Sequence, residues 1–255
     1  MQLDVFKTAV TEAGWILPDW PAPRSVRACT TTRHGGCSLP PYDALNLAEH
    51  VSDDPFAVRS NRDRVRQTLR LPAEPAWLQQ IHSTHVVNAA TAGVLVEADA
   101  SYAERPGIVC AVLTADCLPV LLCDETGSRV AAVHAGWRGL CGGVIEAAIQ
   151  ALSQPGNELL AWLGPAVGPS DYEVGEEVRD AFLAQSVAAS AAFRPSPGGR
   201  WLADLYLLAR QRLSARGVTR IFGGGFCTYR DQERFYSYRR DGVTGRMATL
   251  IWIER

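Results

Sequence analysis

The sequence contains no apolar run approaching the ~18 residues that a membrane-spanning helix needs. Its opening, MQLDVFKTAVTEAGW, has no basic stretch leading into an apolar core, so no secretory leader is expected. An excess of either charge is also missing. The 25 Lys and Arg residues against 27 Asp and Glu leave a formal net charge of −2, too little to recruit nucleic acid or an anionic membrane surface. Basic density is confined to five arginines within Arg59–Arg70 and the pair Arg239-Arg240. The first group is interleaved with Val58, Val65 and Leu69 and reads as the solvated face of a helix. CxxC spacing is absent, and the seven cysteines are an odd, scattered set rather than a disulfide framework. A reducing compartment, the cytoplasm, is expected. Histidine is scarce, at five residues. Internal repeats, low-complexity tracts and linkers are lacking as well.

What is present is a chain of 255 residues, 47% hydrophobic and 20% charged, sufficient to bury a large core without staples. A single domain over 1–255 is expected, with residues 1–25 laid over it and ending in a Pro-rich run. Val26–Thr32 reads as a strand, followed by a Gly-rich polar turn, Arg33-His34-Gly35-Gly36-Cys37-Ser38. Ser52-Asp53-Asp54-Pro55 starts a helix, with Asp as N-cap and Pro at the first helical position. That helix should run to about Leu69. Short apolar runs at Trp77–Ile81, His85–Ala89, Ile108–Thr114, Pro119–Cys123, Arg129–His134 and Leu159–Leu163 read as strands of a well-buried sheet. Gly136–Gly143 reads as a Gly-rich loop leading into a helix over Val144–Leu152. Gly175–Gln185 reads as a helix and Ser190–Arg200 as a loop. Asp204 caps a helix to about Arg216, which Gly217 ends. Further strands are expected near Ile221–Gly223 and Ala248–Ile253. Strands and helices do not strictly alternate, so the class is α+β rather than a doubly wound sheet.

Three apolar segments end on a residue able to bind metal or do chemistry: His82 after Leu78–Ile81, Cys117 after Leu113–Asp116, and His134 after Val130–Val133. Taken alone, each residue is a weak signal: a single His at a strand end is more often structural, and a single apolar-flanked Cys more often inert core. Together they allow a Cys–His nucleophile pair, or a zinc site of two histidines and one cysteine whose fourth position is open. A closed site with Cys110, Cys123 or His85 as fourth ligand would instead mark a non-enzymatic metal-binding protein. After His134, Ala135-Gly136-Trp137-Arg138-Gly139 passes through glycines into a helix. Such a segment either turns backbone N–H groups and Arg138 toward an anion or lets a helix pack closely on the sheet. Arg33, Asn46, and Arg239 and Arg240 within Ser237–Gly242 are further polar candidates, with Asp241-Gly242 reading as a turn. Trp137 and Tyr172 are either stacking platforms or core.

At these residues the chain closely resembles the YfiH family, also called the laccase-domain or multicopper-polyphenol-oxidase-like family. The matching stretches include Thr31–Ser38, Leu45-Asn46-Leu47, Asp53-Asp54-Pro55, Asn61-Arg62, Gln80-Ile81-His82, Thr114-Ala115-Asp116-Cys117-Leu118-Pro119 and His134-Ala135-Gly136-Trp137-Arg138-Gly139. Later matches are Leu163–Ala166, Tyr172-Glu173-Val174, Cys227-Thr228 and Phe235–Asp241. One departure is Val51-Ser52, where the family often carries glycine. The resemblance implies an α+β fold of central mixed sheets flanked by helices, layered α/β/β/α. It implies zinc, with copper also proposed, held by His82, Cys117 and His134, which are also the catalytic candidates. Arg33, Asn46, Gln80, Asp116, Arg138, Arg239 and Arg240 become candidate substrate- or phosphate-binding residues. The implied activity is purine nucleoside phosphorolysis of adenosine, inosine and methylthioadenosine, with deamination of adenosine, in a monomer or small homo-oligomer. Hydrolytic editing of UDP-muramyl cell-wall precursors and copper-dependent phenol oxidation are the other activities it suggests. A multicopper site needs many histidines, and only His82, His85 and His134 fall near this one.

Overall fold

A computed structural model describes residues 4–93 and 95–254. The leading segment forms helix α1 (Val5–Glu12), and β1 (Val26–Thr30) follows the Pro-rich run. Helix α2 (Pro55–Leu69) starts as its signals require: the Asp54 carboxylate accepts from Phe56 N–H at 3.0 Å, with Pro55 at the first position. Ser52 holds a left-handed φ of 68°. Strands β2 (Val86–Asn88), β3 (Ala100–Ala103), β4 (Val109–Thr114), β5 (Leu118–Asp124) and β6 (Val130–Ala135) come next. Helices α3 (Trp137–Gly142) and α4 (Val144–Leu152) lead to β7 (Leu159–Leu163), β8 (Glu173–Val174) and α5 (Glu176–Gln185). The remainder is β9 (Phe193–Ser196), β10 (Arg200–Ala203), α6 (Leu205–Ala215), β11 (Arg220–Gly223), α7 (Tyr238–Asp241) and β12 (Met247–Ile253).

A six-stranded mixed sheet has the order β11-β7-β5-β6-β3-β2, and a three-stranded antiparallel sheet the order β1-β12-β4. Period-2 alternation sends opposite faces of each strand to different cores. Leu121 and Cys123 of β5 and Ala132 of β6 meet Cys110, Val112 and Ile251 of the smaller sheet. Leu118, Val120 and Leu122 face α4 and α6 on the other side. The outer face of the small sheet, with Ala111, Leu113 and Leu250, packs on α1 and α2 through Val10, Val65 and Leu69. The result is α/β/β/α layering, and burial on both faces explains why the strands read as unbroken apolar runs. His134 shares its face of β6 with Val130 and Ala132, so it points between the two sheets.

Four expected elements differ. Residues 77–81 do not form a strand. They run beside the free edge of β4, where the Gln80 side chain replaces a backbone partner by donating to Leu113 O (2.8 Å) and accepting from Leu113 N–H (2.7 Å). Residues 190–200 are not a loop. They hold β9 and a turn into β10 at Pro197-Gly198-Gly199, and Pro195 is tolerated because β9 is an edge strand. Gly136–Gly143 is largely helical, as α3. Ser237–Gly242 likewise contains the helical turn α7, capped by the Ser237 hydroxyl, rather than a plain turn.

Candidate metal centre

Cys117 sits in the β4–β5 turn, immediately before β5, and follows Asp116, whose φ is 89°. His134 is the penultimate residue of β6, in register with Pro119 of β5. Hairpin geometry therefore brings these two residues together. His82 arrives differently: it lies in the loop before β2, off any strand, with a φ of 60°. The three donor atoms lie within 4.8 Å of one another. Cys117 Sγ is 3.8 Å from His82 Nε2, and the imidazole rings meet edge to face, centroids 4.9 Å apart. Zinc bonds of about 2.0 Å to nitrogen and 2.3 Å to sulfur at a tetrahedral angle place such donors about 3.5 Å apart, so the set fits a metal ion. His82 is exposed, Cys117 half-buried and His134 buried, which leaves one side of the cluster open.

Asp99, just ahead of β3 and fully buried, contacts two of these segments. Its carboxylate accepts from His134 Nδ1 at 2.8 Å and from His82 N–H at 2.9 Å. It also accepts from the Ser83 hydroxyl at 2.7 Å. With Nδ1 engaged, His134 offers Nε2 to the cluster. Burial pushes the Asp99 carboxyl up, but the bonds from His134 and Ser83 prevail and bring it to about 2. Burial likewise pushes the Cys117 thiol up, and the charge and hydrogen bond of His134, with those of His82, pull it down to about 6. His134 is lowered by burial but raised by the Cys117 thiolate and Asp99, to about 9. The two shifts have one cause, the mutual attraction that favours a thiolate on Cys117 and a charged ring on His134.

Two glycines make the approach of α3 possible. A Cβ at Gly136 would stand 2.7 Å from His82 Cδ2 and 3.0 Å from Cys117 Sγ. One at Gly139 would stand 2.8 Å from Ser83 O. The Gly-rich segment therefore serves close packing of α3 on the donor loops.

Several charged and aromatic groups belong to segments next to this cluster. Tyr172 is nearly buried, and its phenol, pushed up by burial, senses Cys117, Arg239, Asp116 and Arg138. The Arg239 guanidinium lies 5.2 Å from the Tyr172 ring centroid and donates to Glu173 O at 2.9 Å. Arg138 is exposed and lies over the Trp137 ring, 4.4 Å from its centroid. Tyr172 belongs to the core, and Trp137 packs against it. Arg246 was not singled out in the sequence. Burial pushes it down, while Cys117 and Asp116 act on it in the opposite sense. Asp116 itself is held by the Thr228 hydroxyl and Arg239 N–H, each at 2.6 Å.

The other sequence candidates are engaged elsewhere. Arg33 donates to Asp43 and to Gln232 O, and Arg240 to Thr228 O, Tyr229 O and Phe235 O. Both line a surface pocket whose walls include none of His82, Cys117 and His134. Asn46 is fully buried, bonding Ala48 and Asp53 and accepting from Arg246 N–H. Gln80 staples the β4 edge. Cys110 and Cys123 are buried in the inter-sheet core, and His85 is exposed outside the cluster. Asp99 and Arg246 are the site residues that sequence reasoning passed over. An acid at the start of a buried strand, Ala98-Asp99-Ala100, was the available signal for the first.

Residues 27–254 match the family described as multi-copper polyphenol oxidoreductase laccase. The chain belongs to this family. A Pseudomonas aeruginosa relative named purine nucleoside phosphorylase is 58% identical over 94% of this chain and 98% of its own length. An Escherichia coli relative, named purine nucleoside phosphorylase YfiH, is 54% identical over 93% of this chain and 98% of its own. The crystal structure of a Neisseria meningitidis protein, 51% identical, superposes with a TM-score of 0.92 over 94% of this chain and 99% of that one. The α+β layering is thus that of solved relatives, and no described helix is long and apolar enough to cross a membrane.

Proposed function

We propose that this protein is a zinc-dependent purine nucleoside phosphorylase, acting on adenosine, inosine and methylthioadenosine and also deaminating adenosine. The supporting observation is an open three-donor cluster in a chain so similar to relatives bearing that name. In phosphorolysis a phosphate oxygen forms a bond to ribose C1′, the C1′–N9 bond breaks, and the base leaves with the bonding pair and gains a proton. His82, Cys117 and His134 would hold the zinc, which supplies a Lewis acid when bound. Arg138, Arg239 and Arg246 would bind phosphate, each able to offer paired N–H groups. Tyr172 would wall the pocket. Arg33, Arg240, Asn46 and Gln80 keep the loops in place. Residues 1–255 would act as one catalytic domain, and the seven unpaired cysteines suit a reducing, cytoplasmic setting.

The family description raises a copper-oxidase reading. Two histidines and a cysteine also suit a single copper ion. A multicopper enzyme needs further centres, and among the described residues this is the one cluster of three or more His, Cys, Asp or Glu with metal-binding geometry. The test is adenosine with and without phosphate, using zinc-loaded protein. Adenine and ribose 1-phosphate should appear only with phosphate, and Cys117→Ala should abolish their formation. No phosphate-dependent release would overturn the reading.

A further inference from the structure

We propose that Asp99 is the positioning residue of the metal centre: one buried carboxylate sets two of the three donors. The proposal rests on the metal-binding reading of the cluster and not on the reaction assigned to it.

Five donors converge on this carboxylate. Oδ1 accepts from His134 Nδ1 at 2.8 Å and His82 N–H at 2.9 Å. Oδ2 accepts from Ile81 N–H at 3.3 Å, Ser83 N–H at 2.5 Å and Ser83 Oγ at 2.7 Å. Three successive backbone N–H groups pointing at one anion form a concave nest. The middle residue, His82, has the left-handed φ of 60° that such a nest needs and that a residue with a Cβ adopts only when held. Asp99 also grips His134 through its backbone, because Asp99 O accepts from His134 N–H at 2.7 Å. His134 is thus fixed at both its main chain and its ring, with Nδ1 as the engaged nitrogen. His82 is fixed at the loop that carries its side chain to Cys117. Cys117 is placed independently, by the β5–β6 hairpin.

A carboxylate is required because it only accepts, with about four lone-pair sites. The isosteric Asn would turn an NH2 group toward N–H donors. A ring-bonded carboxylate behind a metal-ligating histidine fixes its tautomer and strengthens it as a ligand, and loss of such a partner commonly costs 10–100-fold in metal affinity. Here the same loss would also release the second histidine.

The test uses full-length Asp99→Asn beside the wild type, both stripped of metal. Zinc affinity is measured by competition with a chromophoric chelator, the ligand field by the visible spectrum of the Co2+ form, and loop order by amide hydrogen exchange. The expected result is zinc affinity weaker by about 10–100-fold, altered Co2+ bands, and faster exchange at residues 81–83. Affinity within about twofold of wild type with an unchanged Co2+ spectrum overturns the proposal, whatever the effect on melting. If Asp99→Asn does not fold, Ser83→Ala carries the test. It removes the hydroxyl bond to Asp99 along with the bond that hydroxyl accepts from His85 N–H. Weaker Co2+ binding with unchanged melting supports the proposal, and wild-type affinity overturns it. A wild type that binds neither zinc nor Co2+ refutes the metal reading itself.

Discussion

Arg239 and Arg240 are neighbours in sequence, yet they serve different regions. Arg240 turns into the irregular 228–235 segment, where its guanidinium spans three carbonyls and its own neighbour Asp241. Arg33 does the same between the 43 and 232 loops. Those loops lack strand partners, their carbonyls need donors, and a planar fork with five N–H groups satisfies several at once. On the other side, Arg239 spends one side-chain N–H on Glu173 O and rests on Tyr172, while its backbone N–H holds Asp116, the residue before Cys117. Arg138 is held only by the face of Trp137 among the described contacts. Arg240 is saturated by protein and Arg33 is bonded through all three of its nitrogens, whereas Arg239 and Arg138 retain more donors for something else. Arginine in a motif is therefore weak evidence for anion binding until its carbonyl partners are counted.

The sharpest break of this contrast comes at the donors themselves. Gly136→Ala drives a methyl group into His82 and Cys117, and activity should fall by about 100-fold, the scale of a displacement near 1 Å. Metal analysis at wild-type stoichiometry, with full activity, would show that α3 can recede. Next come the two arginines. Arg240→Ala should cost about 2–3 kcal/mol in urea unfolding, since it orphans several carbonyls, while leaving the phosphate KM of the folded enzyme unchanged. Arg239→Ala should do the reverse, raising phosphate KM about tenfold with little change in unfolding. Matching effects from both variants would erase the distinction drawn here.

A smaller effect is expected at the far end of the β5–β6 hairpin. Asp124 is pushed up by burial, but the Thr126 and Ser128 hydroxyls and the N–H groups of Ser128 and Arg129 hold it below the usual carboxylate value. A depressed folded value means stabilisation that is complete above the unfolded value of about 3.8 and lost as pH falls through the lower folded one. Asp124→Asn should therefore be less stable than wild type by about 1 kcal/mol at pH 7, with the gap closing on acidification below pH ~4 and no change in metal content. A gap that persists at low pH would show that charge is not the cause. The smallest effect is expected from His85→Ala, an exposed change within about 0.5 kcal/mol that should leave zinc affinity intact. Weakened zinc binding there would make His85 the fourth ligand.

Much of the fold was legible in local signals. Asp54-Pro55 and Asp204 mark helix starts because capping is a local bond, and the six-stranded sheet shows as apolar runs because both its faces are covered. The misreadings share a cause. Residues 77–81 look like a strand, but Gln80 pairs through its side chain; Gly136–Gly143 looks like a loop, but glycine is there to admit neighbours. Neither fact is encoded in period or propensity. At the site, Cys117 and His134 were legible because a hairpin joins them. Asp99 was not, because its partners lie 16–18 and 35 residues away. Arg246 likewise comes near Cys117 through a long-range pairing, since the next residue, Met247, is in register with Thr114 of β4.

By itself, the sequence determined most element types and the doubly covered sheet, since these follow from periodicity and caps, and it marked His82, Cys117 and His134 as candidates by side-chain chemistry and family resemblance. The tertiary structure alone decided which arginines stay free, which carboxylate stands behind the histidines, and that His82 reaches Cys117 from a strained loop. Those outcomes depend on long-range neighbours competing for the same donors and the same space.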